Sequence, residues 1–136
     1  MGGGGDSLTR TITYAKIHSQ RDKFKDFLTD DGVMNFFGKK SKAILEQGGT
    51  PDSVGDYVSM LDKLSEIISS KSGTNFDIFC FKGDSTDIDR LFNFAKKFSP
   101  HYFIKNVNSP VEKYKIFNDK NLQNISGIES TITISE

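Results

Sequence analysis

Few side chains in this sequence are suited to chemistry, and their spacing suggests three arrangements. The first is the acidic turn Gly83-Asp84-Ser85-Thr86-Asp87-Ile88-Asp89, which follows a predicted strand and opens a predicted helix. Open α/β folds place ligands at such a junction. Asp84, Asp87 and Asp89 together offer oxygen ligands to a divalent cation, which would make the protein a metal-dependent enzyme. A helix start needs the same residue types without any ligand, because short polar side chains cap free N–H groups and acids complement the helix dipole. With one glycine, no lysine and three negative charges, the turn is unsuited to phosphate. Cys80 and His101 would form a nucleophile and base only if the thiol were exposed. Between Phe79 and Phe81 in a predicted strand, Cys80 reads instead as a buried structural thiol. Neither His18 nor His101 has partners at metal-ligand spacing, and no cofactor motif is present.

The second arrangement mixes aromatics and cations: Tyr102, Lys105, Lys113, Tyr114 and Lys115, all on a hairpin predicted over 101–117. Single-stranded nucleic acid is held by such mixtures, the rings stacking on bases and the lysines meeting phosphates. A hairpin with core aromatics and a lysine-rich edge gives the same pattern. Charge favours the second explanation. The chain has 18 basic and 18 acidic side chains, balanced within residues 1–74 and within 75–136, whereas a nucleic-acid or anionic-membrane grip shows as a basic excess.

The third arrangement is the alternation Ile128-Glu-Ser-Thr-Ile-Thr-Ile-Ser135. Ile128, Ile132 and Ile134 face one way and Glu129, Thr131 and Thr133 the other, as in a half-exposed edge strand that could extend a partner's sheet.

These residues are positioned by a small set of elements. Ile88, Leu91, Phe92, Ala95 and Phe98 recur at helical spacing and predict an amphipathic helix over 87–98. It lies between a strand predicted over 76–82, apolar on both faces and therefore central, and another over 102–107. That is a β-α-β unit. Val111–Phe117 then reads as the antiparallel partner of 102–107, across the turn Asn108-Ser109-Pro110. Upstream, residues 9–17 alternate as a strand, 20–29 and 33–47 form helices, and Thr50-Pro51-Asp52 opens a long helix over 51–70. The expected fold is α+β: a mainly antiparallel sheet of four or five strands, with the β-α-β helix and the N-terminal helices packed on it.

At 136 residues the chain suits one domain, expected over 8–136 after a flexible glycine-rich tail at 1–7. Gly2 sits where N-myristoylation requires it, but Asp6 stands where that signal wants Ser or Thr. The single cysteine precludes an internal disulfide, and no apolar run is long enough for a signal peptide or membrane span, so an intracellular, cytoplasmic location is expected, with the virion as the alternative. Twelve Phe, no Trp and abundant Lys, Asn and Ile suggest an AT-rich coding sequence, such as that of a phage or virus. The function expected is a non-enzymatic protein-interaction or assembly subunit, forming a homo-oligomer or part of a larger assembly, without cofactor. A nucleic-acid-binding regulator using 101–117 is second, and a metal-dependent enzyme using the acidic turn third.

Overall fold

The computed structural model describes residues 9–29, 43–44, 46–49, 52–120 and 127–135. In chain order these form β1 (Thr9–Lys16), α1 (Arg21–Leu28), α2 (Asp52–Ser72), a 3-10 turn (Ile78–Cys80), β2 (Phe81–Lys82), α3 (Ser85–Lys96), α4 (Pro100–Tyr102), a π-helical turn (Phe103–Val107), α5 (Asn108–Lys120) and β3 (Ile128–Ser135). The fold is α+β. The described strands form one antiparallel sheet in the order β2-β1-β3, with β1 in the middle. The tail at 1–7 and most of the helix expected over 33–47 lie outside the described residues.

Several elements follow from local chemistry. Asp84 caps α3 by accepting the Thr86 N–H at 2.8 Å, while Asp87 lies in its first turn and Lys96 in its last, in keeping with the dipole. Gly73 ends α2 at φ +75, and its N–H reaches back to the Ser69 carbonyl at 3.1 Å, the left-handed stop that glycine adopts without strain. Arg21 of α1 grips Asp62 of α2 through two bonds of 2.6 Å, tying those helices together.

The expected β-α-β unit does not form. Of the strand predicted over 76–82, only Phe81–Lys82 pairs, and β2 is a sheet edge rather than the centre. The reason lies in α2, whose serines occupy main-chain groups that a neighbouring strand would have used. Ser69 Oγ accepts the Phe76 N–H at 2.8 Å and donates to the Phe76 carbonyl at 2.9 Å. Ser65 Oγ accepts the Ile78 N–H at 2.9 Å, and Asp77 caps the 3-10 turn by accepting the Phe79 N–H at 2.9 Å.

The hairpin over 101–117 is likewise replaced, by helix. Phe103, Val107, Val111, Tyr114 and Phe117 are all buried, and their spacing of four, four, three and three residues is that of one helical stripe. Pro110, read from sequence as part of a turn, lies inside the helical run. Its missing N–H removes one rung of the ladder just after the wider π-helical turn. With both of these strands absent, three described strands remain of the four or five expected.

One core cluster gathers side chains from the sheet and from α1, α2, α3 and α5. Its centre is aromatic. Phe24 meets Tyr114 edge-on at 5.1 Å and Phe117 at 5.4 Å, while Tyr14 lies 5.0 Å from Phe81. The buried Tyr114 hydroxyl donates to the Ile78 carbonyl at 2.8 Å, satisfying a polar group that burial would otherwise penalise.

A candidate interaction edge

The register of β1 settles which way each main-chain group points. Just beyond β1, the Ile17 N–H donates to the Cys80 carbonyl at 2.9 Å, on the β2 side. Directions alternate along a strand, so the odd-numbered residues of β1 address β2 and the even-numbered ones address β3. The pairs Arg10–Ile134, Ile12–Ile132, Tyr14–Ser130 and Lys16–Ile128 therefore carry the β1–β3 ladder. Glu129, Thr131, Thr133 and Ser135 turn their N–H and C=O groups away from the sheet. One side-chain bond agrees with this direction, because Lys97 Nζ of α3 donates to the outward Ser135 carbonyl at 2.6 Å. No described strand pairs with this outer edge. β1 has an open stretch too, since β2 pairs only with Ala15 and Lys16 and leaves the β2-facing groups of Thr9, Thr11 and Thr13 without a described partner strand.

Side chains on the strands sort by face. Ile132 and Ile134, read from sequence as interaction residues, are 1% and 2% exposed and belong to the core, whereas Ile128 is 75% exposed. That correction has a simple cause: the sheet's apolar face is covered by helices, so alternating isoleucines serve the core first. The opposite face is hydroxylated. Thr9 faces Ser135, Thr11 faces Thr133 and Thr13 faces Thr131, with the Thr11 and Thr133 hydroxyls 3.1 Å apart. What β3 leaves exposed is its outer main-chain edge and Ile128, not an isoleucine stripe.

Two clefts flank β3 on its helix side. One, of about 360 Å³, opens between Ile134–Ser135 and α3, where Arg90, Lys96 and Lys97 contribute to its lining. The other, of about 650 Å³, lies beside Glu129–Thr131 and is bounded by Lys16, Thr74 and Asn75.

The remaining sequence candidates are dispersed. In the acidic turn, Asp84 is the helix cap, Asp87 accepts from Arg90 at 2.7 Å, and Asp89 accepts from Lys115 at 2.8 Å. The Thr86 amide holds the Asp84 carboxyl below its ordinary range. No group of three or more His, Cys, Asp or Glu side chains converges among the described residues. The nucleic-acid platform is taken apart as well. Tyr114 is fully buried, Lys113 is buried and desolvated, and Lys115 pairs with Asp89 and with Glu112 at 3.1 Å. Only Tyr102 and Lys105 remain exposed, because a helix buries alternate stripes that a hairpin would have displayed.

Cys80 is half-buried rather than fully enclosed, and its thiol donates to the Asp77 carboxylate at 3.7 Å. Burial and that negative charge push the thiol up, opposite to nucleophile activation. Lys82 is buried at the end of β2, its ammonium 3.5 Å from the Asn118 carbonyl, and desolvation lowers its pKa.

No family model, curated protein or solved structure matches this chain. Its function therefore rests on its own geometry. Among the described residues no helix is long and apolar enough to cross a membrane. The cations beside β3 were missed as a site from sequence, although a signal exists: residues 90–111 carry Arg90, Lys96, Lys97 and Lys105 and no carboxylate.

Proposed function

We propose that this protein is an interaction module that binds an extended segment of a partner, or of a second copy, by adding it as a strand to the outer edge of β3. The observation that carries the reading is the outward row of main-chain groups at Glu129, Thr131 and Thr133 on an eight-residue strand whose other edge is fully paired. An open edge of this length is a template for strand addition unless something covers or charges it. Along this edge the only acidic side chain is Glu129, and no lysine or proline interrupts residues 128–135. Antiparallel or parallel addition would use the same groups, with the hydroxyl face of the sheet left in solvent.

Proline substitution tests this cleanly. Because the Thr131 and Thr133 N–H groups point outward, Thr131→Pro and Thr133→Pro remove donors to a partner without touching the β1–β3 ladder, a setting in which strands tolerate proline. The full chain is weighed by light scattering across concentration and panned, immobilised, against a display library of random decapeptides. Support is an oligomer that the double variant dissociates, or recovered peptides that bind the wild type and not the variant. A monomer at every concentration that recovers no peptides overturns the proposal, as does binding that survives both prolines.

A further inference from the structure

Resting on that reading of the β3 edge, we infer that the segment it takes is acidic, with a Glu or Asp side chain seated in the cleft between β3 and α3. In strand addition, the residue directly opposite Ile134 turns its side chain to the same face as Ile134. That face is the helix side, and Ile134 itself lines the 360 Å³ cleft. The cleft therefore lies within reach of one defined position of the added strand.

Its chemistry is one-sided. Arg90, Lys96 and Lys97 line it together with Asn93 and the ring of Phe94, and no carboxylate does so among the described residues. The three cations differ in how far they are already engaged. Arg90 gives one guanidinium nitrogen to Asp87 at 2.7 Å, which leaves further donors of its fork. Lys96 rests its ammonium 5.6 Å over the Phe92 ring, a weaker partner than a carboxylate. Lys97 lies 5.4 Å over Phe94 and donates to the Ser135 carbonyl at 2.6 Å. That last bond occupies the outward acceptor which a strand reaching Ser135 would need. An acidic side chain in the cleft would draw Lys97 onto itself and free the Ser135 carbonyl for the incoming backbone, so charge and strand pairing reinforce each other. The second cleft has no such bias, as its lining includes both Lys16 and Glu129. The preference for acid is therefore local to the Ser135 end, in a protein of zero formal charge.

The test uses three labelled decapeptides of alternating Thr and Val that differ only in one terminal inward-facing residue: Glu, Gln or Lys. Their binding to the full chain is followed by fluorescence anisotropy at low and high salt. The Glu peptide should bind roughly tenfold more tightly than the Gln peptide, with the margin shrinking as salt rises. The double variant Lys96→Gln/Lys97→Gln should erase the margin, and Lys96→Glu/Lys97→Glu should favour the Lys peptide. Equal binding of Glu and Gln peptides, or a preference that survives both double variants, overturns this inference and leaves the edge reading standing. If none of the three peptides binds, this inference falls while the edge reading is decided by the oligomer and the peptide library; if binding survives Thr131→Pro/Thr133→Pro, the edge reading falls and this inference with it.

Discussion

Replacing Ser65 and Ser69 by alanine probes the feature that most shapes the sheet. Ser69 Oγ makes two bonds to the main chain of Phe76, and Ser65 Oγ makes one to the Ile78 N–H. A typical hydrogen bond contributes about 1 kcal/mol net, and a donor or acceptor left buried and unpaired costs about 1–3 kcal/mol. Ser69 is half-buried, so water can reach part of what it leaves, and Ser69→Ala should cost about 2 kcal/mol. Ser65 is buried, and Ser65→Ala should cost about 1–3 kcal/mol from a single bond. The two serines lie one turn apart on α2 and hold the same short segment, so their losses couple and the double variant should depart from the sum of the single ones. Urea unfolding followed by circular dichroism measures this. The exposed neighbour Ser70→Ala serves as control, since it carries the small helix-propensity gain of Ser→Ala without the bonds. Amide exchange at Phe76 and Ile78 should quicken selectively in the corresponding single variants. If Ser65→Ala and Ser69→Ala cost no more than the control, the serines do not hold residues 76–78 out of the sheet, and the account of why the central unit fails to form is wrong.

Further outcomes follow from the burial of Tyr114 and from the space around two glycines. Tyr114→Phe removes the hydroxyl bonded to the Ile78 carbonyl and should cost about 1–2 kcal/mol at neutral pH. Burial, then the charges of Asp77 and Cys80, holds the Tyr114 phenol well above its ordinary pKa of 10.0, so the native state keeps it neutral. Stability from this group is intact below pH 10 and falls as pH rises above it, because the unfolded chain ionises first. Tyr14 and Tyr57 are shifted in the same direction. Midpoints for wild type and Tyr114→Phe should run parallel below pH 10 and converge above it; parallel lines throughout would contradict the shift. Gly127→Ala places a Cβ 2.7 Å from the Lys16 carbonyl and 2.8 Å from Ile17 Cγ2, so the start of β3 must move, at about 1–3 kcal/mol. Gly55→Ala, in α2 with open space around it, should instead stabilise by about 0.5–1 kcal/mol. Equal effects at the two glycines in thermal unfolding would refute the crowding at Gly127.

Local periodicity alone was enough for the elements whose apolar pattern is unambiguous. β1 over 9–16, the long helix α2, the helix α3 and β3 over 128–135 are legible in the sequence to within a residue or two, whereas the choice of Asp84 over Ser85 or Thr86 as the cap of α3 is not. Each has a single face to bury, and period 2 or 3.6 states which. The segments 76–82 and 102–117 were misread because they are short, aromatic and apolar enough to satisfy either period. Side chains elsewhere decided them. Two serines on α2 bond the main chain of Phe76 and Ile78 and leave only Phe81–Lys82 to pair, and packing against α2 and α3 selects the helical stripe from Phe103 to Phe117. The candidate site divides in the same way. Alternation in residues 128–135 marks an edge strand, but sequence cannot say whether its isoleucines face a partner or the core, nor which carbonyls point outward. Those facts depend on strand order and register, which arise from contacts between residues more than a hundred positions apart, such as Thr11 and Thr133. The cationic cleft, too, exists only because α3 passes beside the end of β3, bringing Lys97 to Ser135.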